Sequence, residues 1–222
     1  MPAALVFDAY GTLFDVHSVL ARCESFWSGK GAQLSQLWRA KQLEYTWQRS
    51  LMRRYVPFSQ VTREALAYAC EMLKLPLSDV QARALVQEYL KLAVYPDVPA
   101  AMQRFGGRKL AILTNGSPDM IGPLVENCGL RFDAVLSVDE LQVYKPAPEV
   151  YALAVERLRT PANRIGFVSS NCWDAIGAKS YGFAVFWINR AGAPVDRLGT
   201  DLDAVITSLK DLPEELDRNN PQ

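Results

Sequence analysis

Ala3-Ala4-Leu5-Val6-Phe7-Asp8-Ala9-Tyr10-Gly11-Thr12 is the stretch on which the fold turns. Ala3–Phe7 has the length of a strand and is apolar throughout, as expected where both faces of a parallel sheet are covered. Asp8 stands at the carboxyl end of that strand. A carboxylate left unpaired so close to a core is costly, so it needs partners. Gly11 permits a tight turn, and the Thr12 hydroxyl can hydrogen-bond across it. Taken alone, Asp8 reads equally well as a turn or capping aspartate that only accepts backbone N–H bonds.

Working outward, apolar runs recur at Leu110–Thr114, Ala134–Val138, Ile165–Ser169 and Ala184–Ile188. Helical patterns separate them. Asp119–Cys128 carries Met120, Ile121, Leu124, Val125 and Cys128 on one side, with Gly129 as a stop. Glu149–Leu158 spaces Val150, Leu153, Ala154 and Leu158 similarly, and Asp174–Tyr181 ends at Gly182. Strands alternating with helices predict an α/β fold: a Rossmann-like parallel sheet with helices on both faces.

From Asp15 to Tyr95 no convincing strand is legible, and helical spacing dominates through Leu34, Leu37, Trp38, Ala65, Leu66, Ala69, Val80 and Leu85. Tyr95-Pro96-Asp97-Val98-Pro99 reads as the return to the sheet. The expected organisation is a core of residues 1–14 and 96–222 with a helical cap, 15–95, inserted after the first strand. Past Leu212 the chain turns polar, and Arg218-Asn219-Asn220-Pro221-Gln222 is expected to fray.

The 222 residues fit one large domain or a core with an insertion. Lys plus Arg equals Asp plus Glu at 24 each, which gives no global attraction to nucleic acid or an anionic membrane. The first residues lack a basic region, and their apolar run stops at Asp8, too soon for a secretory signal. No stretch approaches the roughly 18 apolar residues of a membrane span. Cys23, Cys70, Cys128 and Cys172 are scattered, which suits reduced thiols and a cytoplasmic protein. The single histidine, His17, excludes a multi-histidine metal centre and is given no role.

Reactive residues gather just past the strand ends: Asp8 after the first, Thr114 and Asn115 at the second, Lys145 beyond the third, and Ser169, Asn171 and Asp174 at the fourth. In an open parallel sheet that edge is where ligands bind. With Lys145 and Asp174 in the set, Asp8 reads as a reactive group and no longer as a cap.

The motifs Phe7-Asp8-Ala9-Tyr10-Gly11-Thr12-Leu13-Phe14-Asp15, Leu37-Trp38-Arg39 with Lys41-Gln42-Leu43-Glu44-Tyr45, Ile112-Leu113-Thr114-Asn115-Gly116, Tyr144-Lys145-Pro146 and Phe167-Val168-Ser169-Ser170-Asn171-Cys172-Trp173-Asp174 together resemble the haloacid dehalogenase superfamily. Within it they resemble the L-2-haloacid dehalogenases, over nearly the whole chain. The alternative within the superfamily is a magnesium-dependent phosphatase. Such enzymes use a second aspartate two residues after the nucleophile, where Tyr10 stands here, and gather carboxylates near the last motif, where Ser169 and Asn171 stand.

The resemblance implies hydrolysis without metal or other cofactor. Asp8 would attack the α-carbon of a small 2-haloalkanoic acid and expel halide; water would then cleave the resulting ester. Arg39 is implied as the halide cradle, with Asn115 and an aromatic wall, though an arginine on a helix is also commonly just solvated. The Thr114 hydroxyl and the backbone N–H groups of Ala9 and Tyr10 would hold the substrate carboxylate. Lys145 would offset the charges of Asp8 and Asp174 and keep both ionised. Asp174 would orient Lys145 and the water, while Thr12, Ser169 and Asn171 position neighbours. Tyr151 matches a family tyrosine but reads equally as packing. Tyr10, Gln42, Leu43, Phe58 and Trp173 are implied as walls of the alkyl pocket. A homodimer is implied, built through the insertion.

Overall fold

A computed structural model describes residues 1–218. The chain runs β1 (Ala4–Phe7), β2 (Phe14–Asp15), α1 (Leu20–Phe26), α2 (Gly31–Leu51), α3 (Phe58–Met72), α4 (Asp79–Glu88) and β3 (Ala93–Val94). It continues through α5 (Val98–Met102), β4 (Lys109–Thr114), α6 (Pro118–Asn127), β5 (Ala134–Ser137), α7 (Pro148–Leu158) and β6 (Ile165–Ser169). The last elements are α8 (Cys172–Tyr181), β7 (Ala184–Ile188), β8 (Ala204–Ile206) and α9 (Leu212–Arg218).

Six strands form one sheet in the order β5-β4-β1-β6-β7-β8, and every neighbouring pair is parallel. The chain leaves β1 to one side, builds β4 and β5, then crosses back to β6 on the other side. Right-handed crossovers in opposite directions place helices on both faces. The reversal of direction falls beside β1, so the turn after Phe7 opens into the crevice where such sheets bind ligands. Register aligns the ends: Phe7 pairs with Ile112 and Val168, so Asp8 emerges level with the last residues of β4 and β6. β1 is completely buried, Ala4 through Phe7, which is why its sequence is apolar at every position rather than alternating.

The α/β reading holds, with three additions. The edge strand β8 is missing from the sequence reading because three residues with an exposed Val205 at their centre make no buried apolar run. The chain past Leu212 is not simply polar, since α9 buries Leu212 and Leu216; of the residues expected to fray, Arg218 is the last of that helix, while Asn219-Asn220-Pro221-Gln222 lie outside the described residues. A small antiparallel ribbon pairs Phe14 with Val94 and Asp15 with Ala93. It joins the two ends of the helical insertion, and two-residue strands leave no periodic trace in sequence.

Within the insertion, Trp38 is fully buried and donates from Nε1 to the Thr62 carbonyl at 2.8 Å, while its ring meets Tyr89 edge-on at 4.8 Å. The insertion is tied to the sheet at several points. Ser59 N donates to Ser117 Oγ at 3.2 Å, just past β4. Tyr144 N donates to Ser50 Oγ at 3.0 Å, and Tyr144 Oη donates to the Val56 carbonyl at 2.6 Å. Tyr55 Oη donates to Asp139 Oδ1 at 2.7 Å. Among the described residues no helix is long and apolar enough to cross a membrane.

Candidate active site

Asp8 is 5% exposed and every one of its oxygens is engaged. Oδ1 accepts from Lys145 Nζ at 3.1 Å; Oδ2 accepts from Thr12 Oγ1 at 3.1 Å and Asn171 Nδ2 at 2.8 Å. The turn that places Thr12 there favours Gly11, whose φ is +90°, a conformation strained for other residues, and where a Cβ would lie tightly, 3.0 Å from Ser170 Oγ. Ser170 N donates to Thr12 Oγ1 at 2.8 Å, and the hydroxyl's own proton has Asp8 Oδ2 at 3.1 Å and Ser170 Oγ at 3.2 Å as acceptors. Ser170, in the last motif but given no role from sequence, therefore holds the Thr12 hydroxyl through both its N–H and its Oγ.

Lys145 is the electrostatic centre. Its ammonium, 1% exposed, lies between Asp8 and Asp174, 2.9 Å from Asp174 Oδ2, and 5.0 Å from the Phe167 ring centre. Its backbone N donates to Asn115 Oδ1 at 3.0 Å, which fixes the loop beside the β4 end. Burial works against the ammonium, but the Asp174 and Asp8 charges and hydrogen bonds outweigh it and hold its pKa above the usual lysine value. Asp174 is fully buried; Oδ2 accepts from Ser169 Oγ at 3.1 Å, and Oδ1 from Tyr151 Oη at 2.9 Å. Burial pushes its carboxyl up to about 6, Lys145 opposes this, and Asp8 adds to it. Lys145 thus does not draw Asp174 below the ordinary carboxylate range: two acids share one ammonium in a dry site. Tyr151 is held well above the usual tyrosine range by burial and then by the Asp174 charge, so it donates as a neutral phenol.

Toward solvent a cavity of about 410 Å³ opens beside this cluster, with Tyr10, Arg39, Leu43 and Asn171 in its wall. Arg39 Nη2 reaches the Tyr10 carbonyl at 3.5 Å. The Tyr10 ring packs on Phe58 at 5.6 Å, and its hydroxyl, buried over Gly116, has no hydrogen-bond partner among the described residues. Burial raises that phenol's pKa, with Arg39 opposing. The N–H groups of Ala9 and Tyr10 donate no hydrogen bond among the described residues, unlike that of Asp8, which donates to the Val168 carbonyl at 2.9 Å. Thr114 is buried at the end of β4, its Oγ1 accepting from Gly116 N at 3.0 Å.

Two expected pocket walls are elsewhere. Gln42 is fully buried inside the insertion, its amide donating to Thr62 Oγ1 at 3.0 Å and accepting from Tyr89 Oη at 3.3 Å. On α2 it shares the Trp38–Gln42–Thr46 stripe, which is buried inside the insertion, whereas Arg39 and Leu43 form the next stripe and face the cavity. Trp173 sits edge-on to Trp47 at 5.3 Å and borders a neighbouring groove with Pro146 and Ile176.

The remaining sequence-selected residues, Asp8, Ala9, Tyr10, Thr12, Arg39, Leu43, Phe58, Thr114, Asn115, Lys145, Tyr151, Ser169, Asn171 and Asp174, converge on this one crevice. Chemically, it presents a carboxylate whose charge is balanced by a buried ammonium, with hydrogen-bond donors on both its oxygens and no bulk water behind it. Such a group is suited to nucleophilic attack on an electrophilic carbon and to stabilising an oxyanion on itself afterwards.

A family model of the haloacid dehalogenase-like hydrolases matches residues 2–182. The (S)-2-haloacid dehalogenase of Pseudomonas sp. strain YL is 50% identical over 210 residues, covering 93% of this chain and 90% of that protein. A crystal structure of an L-2-haloacid dehalogenase superposes with a TM-score of 0.95 at 46% identity, covering 97% of this chain and 99% of that one. The L-2-haloacid dehalogenase of Xanthobacter autotrophicus, with chloropropionic acid covalently bound, superposes at 0.93 with 41% identity and full coverage of both chains, 100% each.

Proposed function

The chain belongs to the haloacid dehalogenase-like hydrolases, and from that premise we propose that it converts (S)-2-haloalkanoic acids to (R)-2-hydroxyalkanoic acids through an ester on Asp8. The observation that carries this reading is the Asp8 carboxylate held between Lys145, Thr12 and Asn171. An Asp8 oxygen attacks the α-carbon from the side opposite the halogen; the C–X pair leaves as halide and the carbon inverts. Water then adds to the ester carbonyl carbon of Asp8, the bond from that carbon to the former Asp8 oxygen breaks, and the hydroxy acid departs with that oxygen and one of the water's protons while the other passes to solvent. The oxyanion formed on the way keeps its ammonium or hydrogen-bond donors, whichever oxygen bears the ester.

Arg39, the free N–H groups of Ala9 and Tyr10, Thr114 and Asn115 supply the anion-binding groups for departing halide and substrate carboxylate. Tyr10, Leu43 and Phe58 shape the alkyl side. The insertion, residues 15–95, acts as the cap that keeps bulk water from the ester. Phosphoryl transfer fits less well, because the place between the two carboxylates is taken by the Lys145 ammonium and Tyr10 replaces the second aspartate. Unpaired cysteines suit a reducing cytoplasm, and the exposed Leu51 and Met52 of the insertion suit a homodimer contact.

Single turnover of (S)-2-chloropropionate in oxygen-18 water tests the reading. Chloride is released, and the label enters the Asp8 peptide, reaching the hydroxy acid only in later turnovers. Label in the first-turnover product would mean that water displaces halide directly. p-Nitrophenyl phosphate hydrolysis without chloride release would return the protein to the phosphatases.

The rate at saturating substrate is expected to fall as pH drops through about 6, where Asp174 takes up a proton and Lys145 loses one of its two anionic partners. Because the Asp174 value lies above that of an unfolded aspartate, the same protonation favours the folded chain, so activity and stability diverge on the acid side. On the alkaline side, Lys145 stays charged beyond the usual lysine value. A pH–rate profile alongside melting at the same pH values checks both limbs.

A further inference from the structure

Arg190 follows β7 by two residues and reaches back to the loop that carries Asp8. Its Nη1 donates to Asp97 Oδ2 at 2.9 Å, its Nη2 donates to the Thr12 carbonyl at 3.2 Å, and its guanidinium lies 4.1 Å from the Tyr95 ring centre. Thr12 is the residue whose hydroxyl donates to Asp8 Oδ2. Arg190 also borders the cavity that holds Arg39, but Asp97 balances its charge at contact distance, so attraction of the substrate falls to Arg39.

Three distant segments meet on this side chain. The turn after β1 is held through Thr12. The return from the insertion is held through Tyr95 and Asp97; Tyr95 N donates to the Leu13 carbonyl at 3.0 Å and its hydroxyl to Asp15 Oδ1 at 3.3 Å. The final segment is held through Asp97, whose Oδ2 also accepts from Leu209 N at 2.6 Å and Ser208 Oγ at 3.0 Å. A planar fork of donors holds a carboxylate and a carbonyl in one fixed relative geometry, which a point-like ammonium on a flexible stem enforces less strictly.

We propose that Arg190 is a positioning residue for the dehalogenation: by fixing the Thr12 carbonyl it holds the Asp8–Thr12 turn, and with it the direction in which the Asp8 oxygens face the α-carbon. The turn needs such an outside brace because Gly11, at its middle, restrains the backbone least. The proposal rests on the reaction proposed above.

The test is chloride release in a single turnover of (S)-2-chloropropionate by wild type, Arg190→Met, Arg190→Lys and Ser208→Ala. Arg190→Met is expected to slow ester formation about tenfold to a hundredfold, the cost of a small misplacement of a reacting group, with KM moving less than about threefold. Arg190→Lys, which keeps the charge but not the rigid fork, recovers part of the loss. Ser208→Ala loosens Asp97 but leaves both Arg190 bonds, so it lowers the melting temperature while keeping the wild-type rate. A wild-type single-turnover rate in Arg190→Met, or a change confined to KM, overturns the proposal. If Arg190→Met does not fold, a wild-type rate in Arg190→Lys overturns it and a slowed one at unchanged KM supports it. Wild type that releases no chloride would instead defeat the underlying reaction.

Discussion

Asp8→Asn is expected to release halide at least about 10⁴-fold more slowly than wild type, since the amide oxygen cannot form the ester at a useful rate. The folded protein should tolerate the change. Removing one member of a buried ion pair is harmful when it strands the other charge, but here Lys145 keeps Asp174 at 2.9 Å. The charge that goes is one of two anions sharing one cation. Asp8 is among the causes holding the Asp174 carboxyl near 6, so in Asp8→Asn the Asp174 transition moves to lower pH and the stability change around pH 6 shrinks. Peptide mass spectrometry of the assayed sample must verify that asparagine has not reverted to aspartate. Undiminished halide release from verified Asp8→Asn would remove this carboxylate from the chemistry.

Lys145→Met is expected to be the most damaging change at neutral pH, for activity and folding together. It leaves Asp8 and Asp174 facing each other in a site where the side chains are 8% and 0% exposed. Stranding buried charge in this way costs about 3–5 kcal/mol. Halide release should fall about 10³-fold or more, because Asp8 would lose the ammonium that holds and orients it beside Asp174. The sign of the pH effect is distinctive. Without the ammonium the Asp174 carboxyl is raised further, the folded chain binds more protons than the unfolded one, and stability falls as pH rises. Urea denaturation at several pH values should therefore show the variant recovering on the acid side. Adding Asp8→Asn to Lys145→Met should restore stability at neutral pH while activity stays lost. A Lys145→Met protein whose stability matches wild type at neutral pH would show that the ammonium is not the counter-ion of the pair.

Much of this site was readable because parallel strands point their carboxyl ends at one edge, so polar residues directly after apolar runs are brought together by topology alone. That rule places Asp8, Thr114, Asn115, Lys145, Ser169, Asn171 and Asp174 correctly in one crevice. Applied to the fifth run, Ala184–Ile188, it would also have singled out Asn189 and Arg190, which the sequence reading passed over. Gln42 and Trp173 were misjudged for a different reason. On a helix covered on more than one side, spacing says which residues share a stripe but not which stripe meets the cavity, and that is decided by packing between segments far apart in sequence. The β2–β3 ribbon and the edge strand β8 are invisible for the same reason: their pairing, not their composition, makes them strands.

The bonds that the insertion makes to Tyr144 constrain how traffic enters the site. Tyr144 is the residue before Lys145, and it is gripped from both ends by Ser50 and Val56. If the four-helix lobe swung away as a rigid door, it would pull on the very segment that supplies the counter-charge. Admission and release are therefore better served by small side-chain motions at the rim than by wholesale opening, so that the roof stays on while the doorway breathes.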